Sequence, residues 1–221
     1  MEGAAAARGR DRPAKSPARL RDYHRNVARN WDDHYSDPAN IEFAPAPIVA
    51  EAARLLPPGR ALDLACGPGR NSLYLAGLGW RVTAVDSSAV AVGILERHAA
   101  GLPVEALRAN LELGEFRIEP GAYDLVCQVF YLQRDLFAGI REGVKPGGIF
   151  AGTIHLVDDA PGIRPRNPAW LLGPGELSRE FTGWDTLLYS EEREPGRDGR
   201  PARRVARILA RRPPRKPAET P

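Results

Sequence analysis

Cysteine is nearly missing. Cys66 and Cys127 are the only two in 221 residues, and each sits in an apolar, strand-like context. So few exclude a disulfide framework, and their separation is not that of a zinc site. Long apolar runs are missing too: no stretch approaches the roughly 18 uninterrupted apolar residues of a membrane helix. The opening, MEGAAAARGRDRPAKSPARLRD, lacks the apolar core of a secretory signal. A soluble, reduced, cytoplasmic protein without a membrane partner is the expectation. No internal repeat is visible. What is present is enough for one domain with its own core: 43% hydrophobic residues in a chain of this length.

Charge is plentiful but unevenly placed. Residues 1–30 carry eight basic and three acidic residues, a net of +5, and residues 195–221 carry nine and two, a net of +7. Between them, 31–194 hold fourteen basic and twenty-three acidic residues, a net of −9, inside an overall +3. Both ends are rich in Ala, Pro and Arg, as solvated tails are. Residues 1–19 and 213–221 read as such tails, and 20–212 as the folded domain. Basic ends gripping a nucleic acid are the competing reading.

Leu20, Tyr23, Val27, Trp31 and Tyr35 recur at spacings of three and four, which predicts a helix. A second helix is expected over 47–56, ending at Pro57-Pro58-Gly59. These N-terminal helices (20–58) would form a lid. Short apolar runs then alternate with helical stretches. Strands are expected at 61–65, 81–85, 104–108, 123–129 and 149–154, with helices at 71–78, 88–98 and about 135–144, the last ending at Lys145-Pro146-Gly147-Gly148. That alternation implies a parallel sheet with helices on both faces, an α/β three-layer sandwich. The end breaks the rhythm. After a Pro/Gly-rich loop (157–175) come a short helix (175–181) and two strand-like runs, 186–191 and 202–210. Pro195-Gly196-Arg197-Asp198-Gly199 joins them as a hairpin.

The chemistry-bearing segment runs Ala61-Leu62-Asp63-Leu64-Ala65-Cys66-Gly67-Pro68-Gly69-Arg70-Asn71-Ser72. A strand enters a glycine turn and a helix follows, which aims backbone amides into the crevice at the carboxyl edge of the sheet. Glycine there lets backbone approach a ligand with no Cβ in the way. Asp86, 17 residues after Gly69, tips the next strand, where a carboxylate can accept both hydroxyls of a ribose. A dinucleotide site would place a third small residue where Ser72 stands, and pyrophosphate would be a poor neighbour for Asp63. A ligand with an ammonium and a sulfonium suits Asp63 better.

This stretch resembles the first motif of class I S-adenosylmethionine-dependent methyltransferases, in particular the small-molecule branch that includes the tellurite-resistance and thiopurine methyltransferases. The likeness extends over Trp31-Asp32-Asp33-His34-Tyr35, Asp86, Asn110-Leu111, the Tyr123–Arg134 block, Pro146-Gly147-Gly148 and the terminal hairpin. It implies a seven-stranded, mostly parallel, Rossmann-like methyltransferase sheet closed by an antiparallel C-terminal hairpin. It also implies roles. Asp63 would meet the methionine ammonium. Ala65, Gly67 and Gly69 would offer backbone to the methionine portion and ribose, and Asp86 would hold the ribose hydroxyls. Ser87, Asn110 and Leu111 would line adenine; Asn110 departs from the usual Asp, though its carbonyl oxygen still accepts from an amine. Gln128 would lie near the methionine carboxylate or amine. Arg70 would reach the cofactor or a lid, and Trp31 with Tyr35 would form that lid.

Methyl transfer to a small acceptor, such as a thiol or chalcogen nucleophile, is the expected reaction, an in-line displacement that relies on alignment and water exclusion. Tyr131 and His155, at the ends of the fourth and fifth strands, are the candidate bases. No metal-ligand spacing occurs, and no metal is expected. Acceptor specificity should reside in the loop 156–173, with Asp158, Asp159, Arg164, Arg166 and Trp170. With no added domain and only a short link from about 109 to 122, a small acceptor is favoured over a nucleic acid. Two rivals share the sheet: an NAD-type oxidoreductase and a non-catalytic nucleoside-binding protein.

Overall fold

The computed structural model describes residues 31–160, 167–195 and 202–214. The chain divides into Met1–Asn30 and Trp31–Pro221, and the elements below belong to the second unit. In order they are α1 (Trp31–Ser36), α2 (Pro47–Arg54), β1 (Arg60–Leu64), α3 (Arg70–Gly77), β2 (Arg81–Asp86), α4 (Ala89–His98), β3 (Val104–Arg108) and β4 (Tyr123–Val129). Then follow α5 (Leu136–Gly143), β5 (Val144–His155), α6 (Glu176–Glu180), β6 (Asp185–Glu194) and β7 (Arg203–Arg211). The expected helix over 20–35 is met by α1 alone, since 20–30 lie outside the described residues, as do the tail 1–19 and most of 213–221.

One sheet takes all seven strands in the order β3-β2-β1-β4-β5-β7-β6. The pairs from β3 to β5 are parallel, whereas β5–β7 and β6–β7 are antiparallel. Strand residues alternate between the two faces. Leu62, Leu64, Val126, Phe150 and Ile208 pack with Phe137, Ile140, Leu177 and Phe181 from α5 and its neighbourhood around α6. Ala61, Val82, Leu125 and Ile149 pack on the other face with Val49, Leu75 and Leu95 from α2, α3 and α4. Both faces are covered, so three layers result. The strand order reverses at β1, between β2 and β4. Such a reversal opens a crevice beyond the carboxyl ends of the strands.

Two details of the sheet bear on the expectations. Lys145-Pro146-Gly147-Gly148 does not precede the fifth strand but lies within β5, where the pairing jumps from Tyr123↔Val144 to Leu125↔Ile149. Hydrogen bonds to Arg212 (Gly147 N–H to its carbonyl at 2.8 Å, its N–H to Gly148 at 2.9 Å) stitch the excursion to the sheet. The link between β3 and β4 holds a single 3-10 turn, Leu111–Leu113, and no full helix, as its length implied.

Candidate functional site

The crevice is lined first by the turn between β1 and α3. Cys66 N–H donates to the Val85 carbonyl at 3.0 Å, prolonging the parallel ladder by one rung. The chain then leaves the sheet through left-handed backbone at Ala65 (φ 54°), Gly67 (φ 55°) and Gly69 (φ 90°). A Cβ on Gly69 would fall 2.2 Å from Leu95 Cδ1, and one on Gly67 would fall 2.7 Å from the Tyr35 hydroxyl. The space that glycine leaves is therefore used from both sides, by α4 below and by α1 above. Tyr35 thus stands over the turn, with Trp31 stacked on it at 5.9 Å between centroids.

Asp86 closes the turn. Its Oδ2 accepts the Gly67 N–H at 2.8 Å and its Oδ1 the Ser88 N–H at 2.9 Å. Burial raises its pKa, and those backbone bonds work against the rise. Asp63, on β1, is 1% exposed and accepts from Ser72 Oγ at 2.6 Å. Burial pushes its carboxyl up to about 6, opposed by the Ser72 hydroxyl and by Arg70. Ser72, at the third position of the motif, therefore serves to hold a buried acid in place. Asn71 accepts the Ala46 N–H at 2.9 Å and ties the segment before α2 to the same turn.

Arg70 pairs with Glu42 at 2.8 Å and lies over the Phe130 ring, 5.6 Å from its centroid. Ser87 follows Asp86 at the crevice. Asn110 uses its Oδ1 to accept the Glu112 N–H at 3.0 Å, capping the 3-10 turn that Leu111 begins. One lone pair of that oxygen stays available to a donor. The Leu111 carbonyl accepts from Gln133 Nε2 at 3.2 Å, and Gln133 Oε1 accepts from the Tyr131 hydroxyl at 2.6 Å. Burial, with Glu112 and Asp86 adding to it, lifts the Tyr131 phenol well above its ordinary range. Gln128, fully buried on β4 between Leu64 and Gly152, has no hydrogen-bond partner for either amide atom among the described residues. His155 ends β5 and stacks on Phe130 at 5.0 Å, with 23° between the planes.

Sequence reasoning misses several groups. Asp32 on α1 accepts from Ser88 Oγ at 2.6 Å and from the Val90 N–H at 3.2 Å, so it caps α4 from another helix. Phe130 escapes it because nothing in the neighbouring residues marks its backbone, φ 58°, a conformation that costs a bulky residue about 1–3 kcal/mol. Arg134 forks onto Glu176 (2.6 and 3.0 Å) and also donates to the Ala169 and Leu171 carbonyls, fastening the expected specificity loop. Arg164 and Arg166 of that loop lie outside the described residues. Asp158 is drawn away to the hairpin, where Arg193 holds it at 2.5 Å. Burial pushes both Cys66 and Cys127 thiols up, which leaves them inert packing groups. Among the described residues no three His, Cys, Asp or Glu gather as metal ligands, and no helix is long and apolar enough to cross a membrane.

Residues 28–197 match the family model for tellurite resistance protein TehB. The chain belongs to that family. It is 27% identical over 168 residues to the probable S-adenosyl-L-methionine-dependent methyltransferase TehB of Haemophilus influenzae, covering 72% of this chain and 57% of that protein. It is 34% identical over 145 residues to a ubiquinone biosynthesis O-methyltransferase of Burkholderia orbicola, 59% of this chain and 60% of that one. The chain thus spans under two thirds of the length of these curated relatives. The crystal structure of Haemophilus influenzae TehB superposes with a TM-score of 0.69 at 25% identity, over 82% of this chain and 67% of that chain. A Burkholderia thailandensis 1,6-didemethyltoxoflavin N1-methyltransferase with bound S-adenosylhomocysteine gives 0.64 at 21% identity, over 92% and 93%. The fold of Haemophilus influenzae TehB is therefore shared over most of this chain.

Proposed function

We propose that the protein is an S-adenosylmethionine-dependent methyltransferase acting on a small molecule. The carrying observation is Asp86, whose two oxygens each accept one backbone N–H at the rim of the crevice. A carboxylate has about four lone-pair positions, so acceptor capacity remains for ribose hydroxyls. The donor set fits the rest of that cofactor. Asp63 offers a buried acid to an ammonium, and Gln128 offers an unpartnered amide to a carboxylate or amine. Two acids at one turn disfavour pyrophosphate, which counts against the NAD-type rival.

On this reading Ala65, Gly67 and Gly69 present backbone to the methionine portion. Ser87, Asn110 and Leu111 line the base, and Trp31, Tyr35 and Arg70 close the crevice from above. When bound, S-adenosylmethionine would supply an electrophilic methyl carbon, with its sulfonium sulfur as the leaving group that keeps the bonding pair. The chain's part is alignment and exclusion of water, which can account for up to about 7–11 kcal/mol of a barrier. Tyr131 keeps its proton and orients Gln133 rather than acting as a base. His155 is left as the group able to take a proton from an acceptor that arrives protonated. Thiols, chalcogen nucleophiles, phenols and ring nitrogens are all admissible to this chemistry.

Calorimetry with S-adenosylhomocysteine and NADH, followed by labelled-methyl transfer to a panel of thiols, phenols and selenite, tests the reading. Binding of S-adenosylhomocysteine with transfer to at least one acceptor is expected. Binding of NADH in its place would overturn it.

A further inference from the structure

At the end of β4 the fold holds an aromatic ring in an unfavourable backbone conformation and leaves it in the open. Phe130 is 43% exposed at φ 58°. Its N–H donates to the Thr153 carbonyl at 2.7 Å, so the sheet ladder clamps the backbone there. His155 stacks on the ring and the Arg70 guanidinium lies over it. Neither the sheet nor either core requires this ring, because a glycine would satisfy the backbone at lower cost. The location gives it a use. Phe130 joins the glycine turn, through Arg70, to the candidate base at the end of β5.

The geometry points to Phe130 as the acceptor platform, selecting a flat aromatic small molecule that carries the hydroxyl, thiol or ring-nitrogen nucleophile. This rests on the methyltransferase reading above. The surroundings argue against a small hydrated oxyanion. Among the described residues, Arg70, whose guanidinium lies over the ring, is already paired with Glu42 at 2.8 Å, and Asp63 and Asp86 are both acids on strands of the same sheet. An exposed phenyl ring offers an oxyanion nothing in exchange for its water. It offers an aromatic acceptor its exposed edge, for the edge-to-face arrangement that aromatic pairs favour. Packed against the edge of Phe130, such an acceptor would lie beside His155, where the departing proton is taken up.

The test uses the full chain and two thiols of similar bulk, thiophenol and cyclohexanethiol, with selenite as the oxyanion. Labelled-methyl transfer is measured for the wild type, Phe130→Leu and Phe130→Gly. Each acceptor is compared between variants, so its intrinsic reactivity cancels. Phe130→Leu should cut kcat/KM for thiophenol about three- to tenfold more than for cyclohexanethiol, mainly through KM. Phe130→Gly should show the same selective loss with an unchanged or higher Tm, because the backbone strain is relieved. Equal losses for both thiols, or a lowered Tm with uniform loss, would make the ring structural and overturn the assignment. So would wild-type transfer to selenite in preference to thiophenol, or none to thiophenol. A wild-type chain that fails to bind S-adenosylhomocysteine would overturn the methyltransferase reading as well. Binding with unchanged selectivity in the variants overturns the acceptor assignment alone.

Discussion

Single side chains at the turn carry more than one duty. Asp86 fastens Gly67 and Ser88 and also faces the crevice, so Asp86→Ala removes a structural clasp together with the proposed ribose contact. A hydrogen bond to a charged group contributes about 1.5–3 kcal/mol. Affinity for S-adenosylhomocysteine should therefore fall at least about tenfold by calorimetry, in protein whose circular dichroism shows it folded. Asp63 has a distinct signature, since its carboxyl titrates near 6. Its charged neighbour from α3, Arg70, lowers the value and Asp86 on β2 raises it. An ammonium ligand prefers the ionised form. Affinity should fall as pH drops through about 6, approaching tenfold per unit below it, and Asp63→Asn should flatten the profile. A wild-type affinity constant from pH 5 to 8 would remove Asp63 from the ammonium site.

At the level of elements, α1 is a single turn and a half with no buried residue, so it has little intrinsic reason to be helical. What holds it is the reach of Asp32 onto the first turn of α4. Hydrogen bonds from the Ser88 hydroxyl and the Val90 amide keep its carboxyl below the usual range. Removing a capping oxygen costs about 0.5–2 kcal/mol. Asp32→Ala should speed hydrogen exchange in α1 and loosen Tyr35 over Gly67. Asp32→Asn, which keeps the accepting Oδ1, should restore protection. Arg134→Ala should free the stretch 167–176 to proteolysis with a stability loss of only about 1 kcal/mol, because its side chain is nearly half exposed. These ties were not legible in the sequence, whereas the strands and helices largely were. Periodicity located β3 and β4 to the residue and α3 to within one. It failed at Lys145-Pro146-Gly147-Gly148, where turn chemistry is genuine but a partner strand absorbs the turn. Local composition does not reveal that.

Over the whole molecule, the same buried acids set a slope of stability with pH. The folded chain keeps a proton on Asp63 that the unfolded chain, with a carboxyl near 3.8, releases. Stability therefore declines as pH rises from about 4 to about 6, by roughly 3 kcal/mol for Asp63, and Asp86 leans the same way. Asp32 and Glu176, whose carboxyls are held down, act at lower pH in the opposite sense. Urea midpoints for wild type minus Asp63→Asn should isolate the decline; parallel curves would refute it. The slope for stability thus opposes the slope for ligand binding, as expected of an acid buried for a cationic partner.

From the sequence alone came the alternation that demands a parallel sheet, the glycine turn with Asp63 and Asp86, and the acidic body between basic ends. These follow from short-range rules: side-chain periodicity, backbone sterics at glycine, and a strand-tip carboxylate at a set spacing. Only the tertiary structure decided that Tyr35 fills the space above Gly67, that Asp32 caps a helix 56 residues away, and that Phe130 is held strained and exposed beside His155. Those depend on which elements pack together and on where the sheet ladder clamps the backbone. Such contacts join residues far apart in the chain, and no local pattern encodes them.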